Sequence, residues 1–123
     1  FPAHNSLWEM VERTSDAVIA RMALVPRTME ARGLDAVPAI RERFKQIKDD
    51  RVVEILEIIL RDEVGHVSIG NQWFNFLCTK ENLSPIKAYQ DLAKQYRAPA
   101  LRGPFNLEAR KLAGFTIEEL SLL

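Results

Sequence analysis

Glu63 and His66 are a carboxylate and an imidazole three residues apart. On a helix, that spacing projects both from one face, so both can reach a single ion. Carboxylate-rich, imidazole-poor ligation suits iron first, with manganese as the alternative, over zinc. Four-helix di-iron and di-manganese proteins use Glu-x-x-His on two helices and one inward Glu from each of the other two. Glu30 is the single glutamate available for the second role, because Ile19, Met22, Ala23 and Pro26 lie on its side of a helix. A plainer reading stands beside this one. A histidine on an apolar helix is often a core residue held by one hydrogen bond, and a single Glu-x-x-His can arise by chance. Asp62, on the same helix, either accepts the imidazole N–H from behind or pairs with an arginine such as Arg27. His4, the other histidine, stands in a polar context that suits exposure more than ligation.

The segments that must hold these residues read as helices, because glycine and proline fall between periodic stretches and β-branched alternation is absent. The pattern predicts a first long helix over 6–32, capped by Ser6, kinked at Pro26 and ended by Gly33 in a Schellman turn. A short helix over 38–48 follows. The second long helix begins after Asp49-Asp50 and runs to about Cys78. A further helix opens at Ser84-Pro85, and the tail from Pro99 to Gly114 is a loop with one helical turn after Asn106. Thr116 and Glu119 form a capping box for a last short helix. In this scheme Glu30 and Glu63 come level only if the second long helix overhangs the first by about 13 Å.

At ~100° per residue, Val52, Leu56, Ile59, Val67, Gly70, Phe74 and Leu77 fall within about 40° of Glu63. Ile55, Ile58, Ile69, Trp73 and Phe76 widen one flank. A helix apolar over about two-thirds of its circumference belongs inside a bundle, and a charge there needs a partner or a metal. Left uncovered, such a face would invite association, so the chain is expected to be no stable free monomer.

Composition narrows the class. The chain has 123 residues, 47% apolar and 28% charged, which fits one ordinary globular domain or part of one. Lys+Arg and Asp+Glu both number 17, which gives no signal for a broad grip on nucleic acid or an anionic membrane. Cys78 is the only cysteine, so no internal disulfide can form and a reducing, cytoplasmic setting is expected. No apolar run approaches the roughly 18 residues of a membrane span. The chain opens on Phe1, as a processed or truncated product would.

Four stretches carry a family resemblance: 20–27 (ARMALVPR), 30–35 (EARGLD), 61–71 (RDEVGHVSIGN) and 101–106 (LRGPFN). Together they resemble an uncharacterised bacterial ferritin-like family, a domain of unknown function distantly similar to the tRNA-hydroxylating di-iron proteins. The resemblance covers nearly the whole chain. It implies that Glu30 matches the lone Glu of the third bundle helix, and Glu63 and His66 the Glu-x-x-His of the fourth. Glu63 would then bridge two metals while Glu30 and His66 each bind one.

Such families carry another Glu and another Glu-x-x-His on two earlier helices, and this sequence has neither. Three ligands do not make the usual six-ligand site with its two ions. The expected fold is therefore all-α, with residues 1–123 supplying the C-terminal half of a ferritin-like four-helix bundle plus peripheral helices. An N-terminal half or a second copy would complete it, through an interface burying Val52, Leu56, Ile59, Val67 and Phe74. The expected function is a non-haem di-metal oxidoreductase acting with oxygen on a small molecule that the sequence does not identify. The Arg102–Asn106 loop is the candidate for lining its pocket. The alternative is a non-catalytic helical interaction module in which Glu63 and His66 share a buried hydrogen bond.

Overall fold

The computed structural model describes residues 5–123, and His4 lies outside them. The described residues are helical, with no strand. Helix α1 is Ser6–Arg13 and α2 is Val18–Leu24. A π turn, Val25–Glu30, continues α2 directly into α3, Ala31–Gln46. Helix α4, Asp50–Lys80, is the longest at 31 residues. Helices α5 (Pro85–Gln95), α6 (Leu107–Leu112) and α7 (Ile117–Ser121) complete the chain.

The second long helix follows expectation, with Asp49 at its N-cap accepting from the Val52 N–H at 3.3 Å. The capping box of α7 also forms, since Glu119 N–H donates to Thr116 Oγ1 at 3.1 Å and Thr116 N–H to Glu119 Oε1 at 3.0 Å.

The first long helix differs from expectation at both ends. Ser6 is not its cap; Asn5 holds that position and makes no side-chain capping bond. The helix breaks after Arg13, where Thr14 Oγ1 donates to the Met10 carbonyl at 2.8 Å and Ala17 turns extended. A short polar side chain offers the backbone an alternative to the helical ladder there. Beyond the break, the chain stays helical through both Gly33 and Pro38. Pro38 has no N–H for the Leu34 carbonyl, and Asn106 Nδ2 supplies the missing donor at 3.1 Å. A side chain 72 residues away thus repairs the ladder.

The Schellman ending lies at Lys48 instead, where Lys48 N–H bonds Lys45 O at 3.0 Å and Asp49 N–H bonds Phe44 O at 2.9 Å. Lys48 has φ 58, a region that costs a non-glycine residue roughly 1–2 kcal/mol. Part of that relief is offset by the greater freedom of unfolded glycine. Lys48→Gly should therefore raise stability by about 0.5–1 kcal/mol in urea unfolding. No gain would mean that the lysine side chain holds the turn in some other way.

Packing divides α4 lengthwise. One side feeds two core clusters: Phe74 and Cys78 with Met10, Leu24 and Met29, and Val67 with Ala31, Leu34, Ala109 and Ala113. The other side is open. Ile55, Ile58, Ile59, Ile69, Trp73 and Phe76 all stay exposed, the last two forming an edge-to-face pair at 5.7 Å between ring centres. This corrects the expected interface, because Val67 and Phe74 are fully buried within the chain. The continuous α2–π–α3 element and α6 already cover that side. No helix among the described residues is long and apolar enough to cross a membrane.

Candidate metal-binding face

Glu30 ends the π turn and Glu63 lies near the middle of α4. Because α3 runs on to Gln46, Glu30 sits ~24 Å before its end and Glu63 ~20 Å into α4. The two levels nearly match without the large overhang expected from a helix ending at Gly33. Gly33, one turn beyond Glu30, has a packing role instead of a helix-stopping one. A Cβ on Gly33 would lie 3.7 Å from both Cγ and Oε2 of Glu63, so the Glu63 side chain rests against that bare backbone.

The π turn is the structural answer to Pro26, for which a simple kink was expected. It packs the Pro26 ring onto α4 at Gly70, where a Cβ would stand 2.4 Å from Pro26 Cγ. The wider turn also resets the phase of the helix that follows it, which aims Glu30 toward α4.

His66 Nδ1 lies 2.8 Å from Glu63 Oε1. The imidazole side chain is 62% exposed and the Glu63 side chain 25%. Glu30 is half-buried and makes no hydrogen bond or ion pair with another described residue. Burial pushes its pKa up, the Glu63 carboxylate pushes it further, and His66 opposes both. The hydrogen bond that His66 donates to Glu63 raises the His66 pKa, against its own desolvation and with help from the charges of Glu63, Glu30 and Asp62. The three expected ligands are therefore electrostatic neighbours. They are not drawn together: among the described residues, no three His, Cys, Asp or Glu side chains form a group able to hold a metal ion. Two carboxylates on facing helices repel, and the imidazole turns outward.

The two other site expectations, Asp62 and Arg27, do not meet. Asp62 is exposed and sits beside its neighbour Arg61 at 3.3 Å. Arg27 is buried elsewhere. Its Nε donates to Asn71 Oδ1 at 2.9 Å and its Nη2 pairs with Glu119. The guanidinium also lies over the rings of Phe74 (4.7 Å), Tyr89 (4.8 Å) and Phe115 (5.2 Å). Burial lowers the Arg27 pKa to about 10, which still leaves a cation at neutral pH.

A second buried arginine went unnoticed in the sequence. Arg110 grips Asp35 through two bonds of 3.0 and 2.6 Å, and Asp35 also accepts from the Asn106 N–H at 2.9 Å. Asn71 was equally unsignalled; it donates to the Ala113 carbonyl at 2.8 Å while accepting from Arg27. The Arg102–Asn106 loop is thus fastened to α3 through Asn106.

Comparison with known proteins came from three directions. A family model described as a protein of unknown function (DUF455) matches residues 1–121. An uncharacterized protein of Haemophilus influenzae is 50% identical over 120 residues, which is 98% of this chain but 42% of that relative. No solved structure matches.

Proposed function

The chain belongs to the DUF455 family, and we propose that it carries half of a non-haem di-metal carboxylate centre, with Glu30, Glu63 and His66 as its metal ligands. One observation supports this above the others. Two partly buried carboxylates, Glu30 at the end of the π turn and Glu63 on α4, are electrostatic neighbours, and among the described residues the only hydrogen bond to either comes from His66. Carboxylates taken from water need a counter-charge, and no lysine or arginine supplies one at this point among the hydrogen bonds and ion pairs of the described residues. A cation is what the donor set lacks.

The donors fit iron or manganese by type: two carboxylates and one imidazole nitrogen. They fit only half a site by number. The remaining ligands would come from a second copy of the chain or from further polypeptide, and this chain spans 42% of the relative's length. Iron held in such a centre would supply two-electron chemistry with oxygen, by analogy with other carboxylate bundles. Within this chain, Glu63 holds His66 in place through the 2.8 Å bond and Glu30 waits on the neighbouring helix. Gly33 keeps the space beside Glu63 clear.

Elemental analysis of the purified chain, followed by titration with ferrous iron without oxygen and with manganese(II), tests the proposal. Glu63→Ala and His66→Ala should each lower metal affinity at least about tenfold. The thermal stabilisation produced by added metal should fall in parallel. Wild-type protein that takes up neither ion would instead support the interaction module in which the Glu63–His66 hydrogen bond is purely structural.

A further inference from the structure

The exposed stripe on α4 has an internal symmetry. Ile55 and Trp73 stand nine residues either side of position 64, Ile59 and Ile69 five, and Asp62 and His66 two. At ~100° per residue these six positions share an arc of about 80° along ~27 Å of helix. The four apolar ones are 45–55% exposed, and the Asp62 and His66 side chains 55% and 62%. The stripe therefore reads the same from either end in kind: apolar, apolar, charged, charged, apolar, apolar, with acid and base exchanging places.

A surface with that pattern is complementary to itself. We propose that the open face of α4 docks against the same face of a second copy of this chain, antiparallel and about a two-fold axis at the level of residue 64. Isologous pairing places i against j and j against i. Ile59 then meets Ile69 of the partner subunit, Ile55 meets Trp73 of the partner subunit, and Asp62 faces His66 of the partner subunit twice over. Parallel pairing would instead set Asp62 against Asp62 of the partner subunit.

The chemistry at the centre is consistent with the ligand set. Nδ1 of His66 is turned to Glu63 at 2.8 Å, which leaves Nε2 as the outward nitrogen able to donate to the facing Asp62. The apolar side chains of the face expose on the order of 600 Å² per protomer, against ~800 Å² per partner in a standard interface. Backbone and polar neighbours can supply the remainder. The two-fold axis also brings two copies of Glu63 and His66 to one level, doubling the three ligands to six. That last consequence rests on the di-metal reading, whereas the pairing of faces does not.

Cross-linking of variants with one added cysteine reads the register directly. Cys78 is buried, so Ile59→Cys and Ile69→Cys each add one accessible thiol. In chelator, a short bismaleimide should join the two variants when mixed, several-fold more than it joins either variant to itself. Copies of residue 59 would lie about 15 Å apart along the axis. Light scattering of unmodified protein should give twice the chain mass. A monomer at high micromolar concentration, or equal cross-linking in the unmixed samples, overturns the proposal. A dimer in this register that binds no metal would uphold the pairing and sink the di-metal reading. A monomer that binds iron or manganese stoichiometrically would do the reverse.

Discussion

Arg27→Ala should destabilise the chain by roughly 3–5 kcal/mol, the range for stripping one partner from a buried ion pair. Arg27 is 5% exposed and its Nη2 is paired with Glu119 at the start of α7. Removing it would leave that carboxylate facing Phe115 and Tyr89, and would leave Asn71 Oδ1 without its donor. The three rings around the guanidinium would also lose their shared contact. Replacing the pair together, as Arg27→Met with Glu119→Leu, should recover most of the loss, because the cost lies in the orphaned charge more than in the missing attraction. Urea unfolding of the two single variants and the double variant gives the coupling directly. A single-variant loss below about 1 kcal/mol would mean that water reaches Glu119 once the arginine is gone, and that α7 is only lightly held.

Gly70→Ala and Gly65→Ala should move stability in opposite directions, although the two glycines sit five residues apart on one helix. A Cβ on Gly65 meets nothing within 4 Å, so the substitution should collect the helix-propensity gain of about 0.5–1 kcal/mol. A Cβ on Gly70 meets Pro26 Cγ at 2.4 Å and Cβ at 2.5 Å, atoms of a stiff ring in a buried turn. The helices must part, at a net cost of about 3 kcal/mol, the upper end for overpacking. Because Pro26 precedes Arg27 and sits in the turn that aims Glu30, the same variant should weaken any metal uptake. If both alanines stabilise, Pro26 can slide and the π turn is softer than its packing implies.

Much of this arrangement was legible in the sequence, for identifiable reasons. Helix α4 shows itself through Asp49 and an uninterrupted apolar period, and α7 through its capping box. Glu30, Glu63 and His66 stood out because they are ionisable groups on apolar faces. Gly33 and Pro38 misled, and for one reason: each is a local helix breaker whose local cost is met by a distant partner. Glu63 packs against the bare Gly33, and Asn106 donates to the carbonyl that Pro38 leaves unpaired. Arg27 was visible as a residue but not as the hub of a buried cluster, since Asn71 and Glu119 are 44 and 92 positions away. Local pattern has no access to pairings of that separation. The division of α4 into a covered and an open side was hidden likewise. It depends on α3 extending to Gln46, which in turn depends on Asn106.

The bond from Asn106 to the Leu34 carbonyl sets an order of events during synthesis. A ribosome releases the chain from its N-terminal end, so Pro38 emerges long before the residue that completes its helix. Until then the Leu34 carbonyl must borrow water, and the Arg27 guanidinium, lacking Glu119, must stay solvated. Local helix forms within microseconds, whereas contacts spanning more than 70 residues wait on chain diffusion and loop closure. The residues from Asn106 onward therefore act as a latch that closes after the helices it fastens have formed. A nascent chain that had not yet reached Asn106 would hold α3 and α4, which carry Gly33 and Glu63, side by side without the fastening that fixes their pitch.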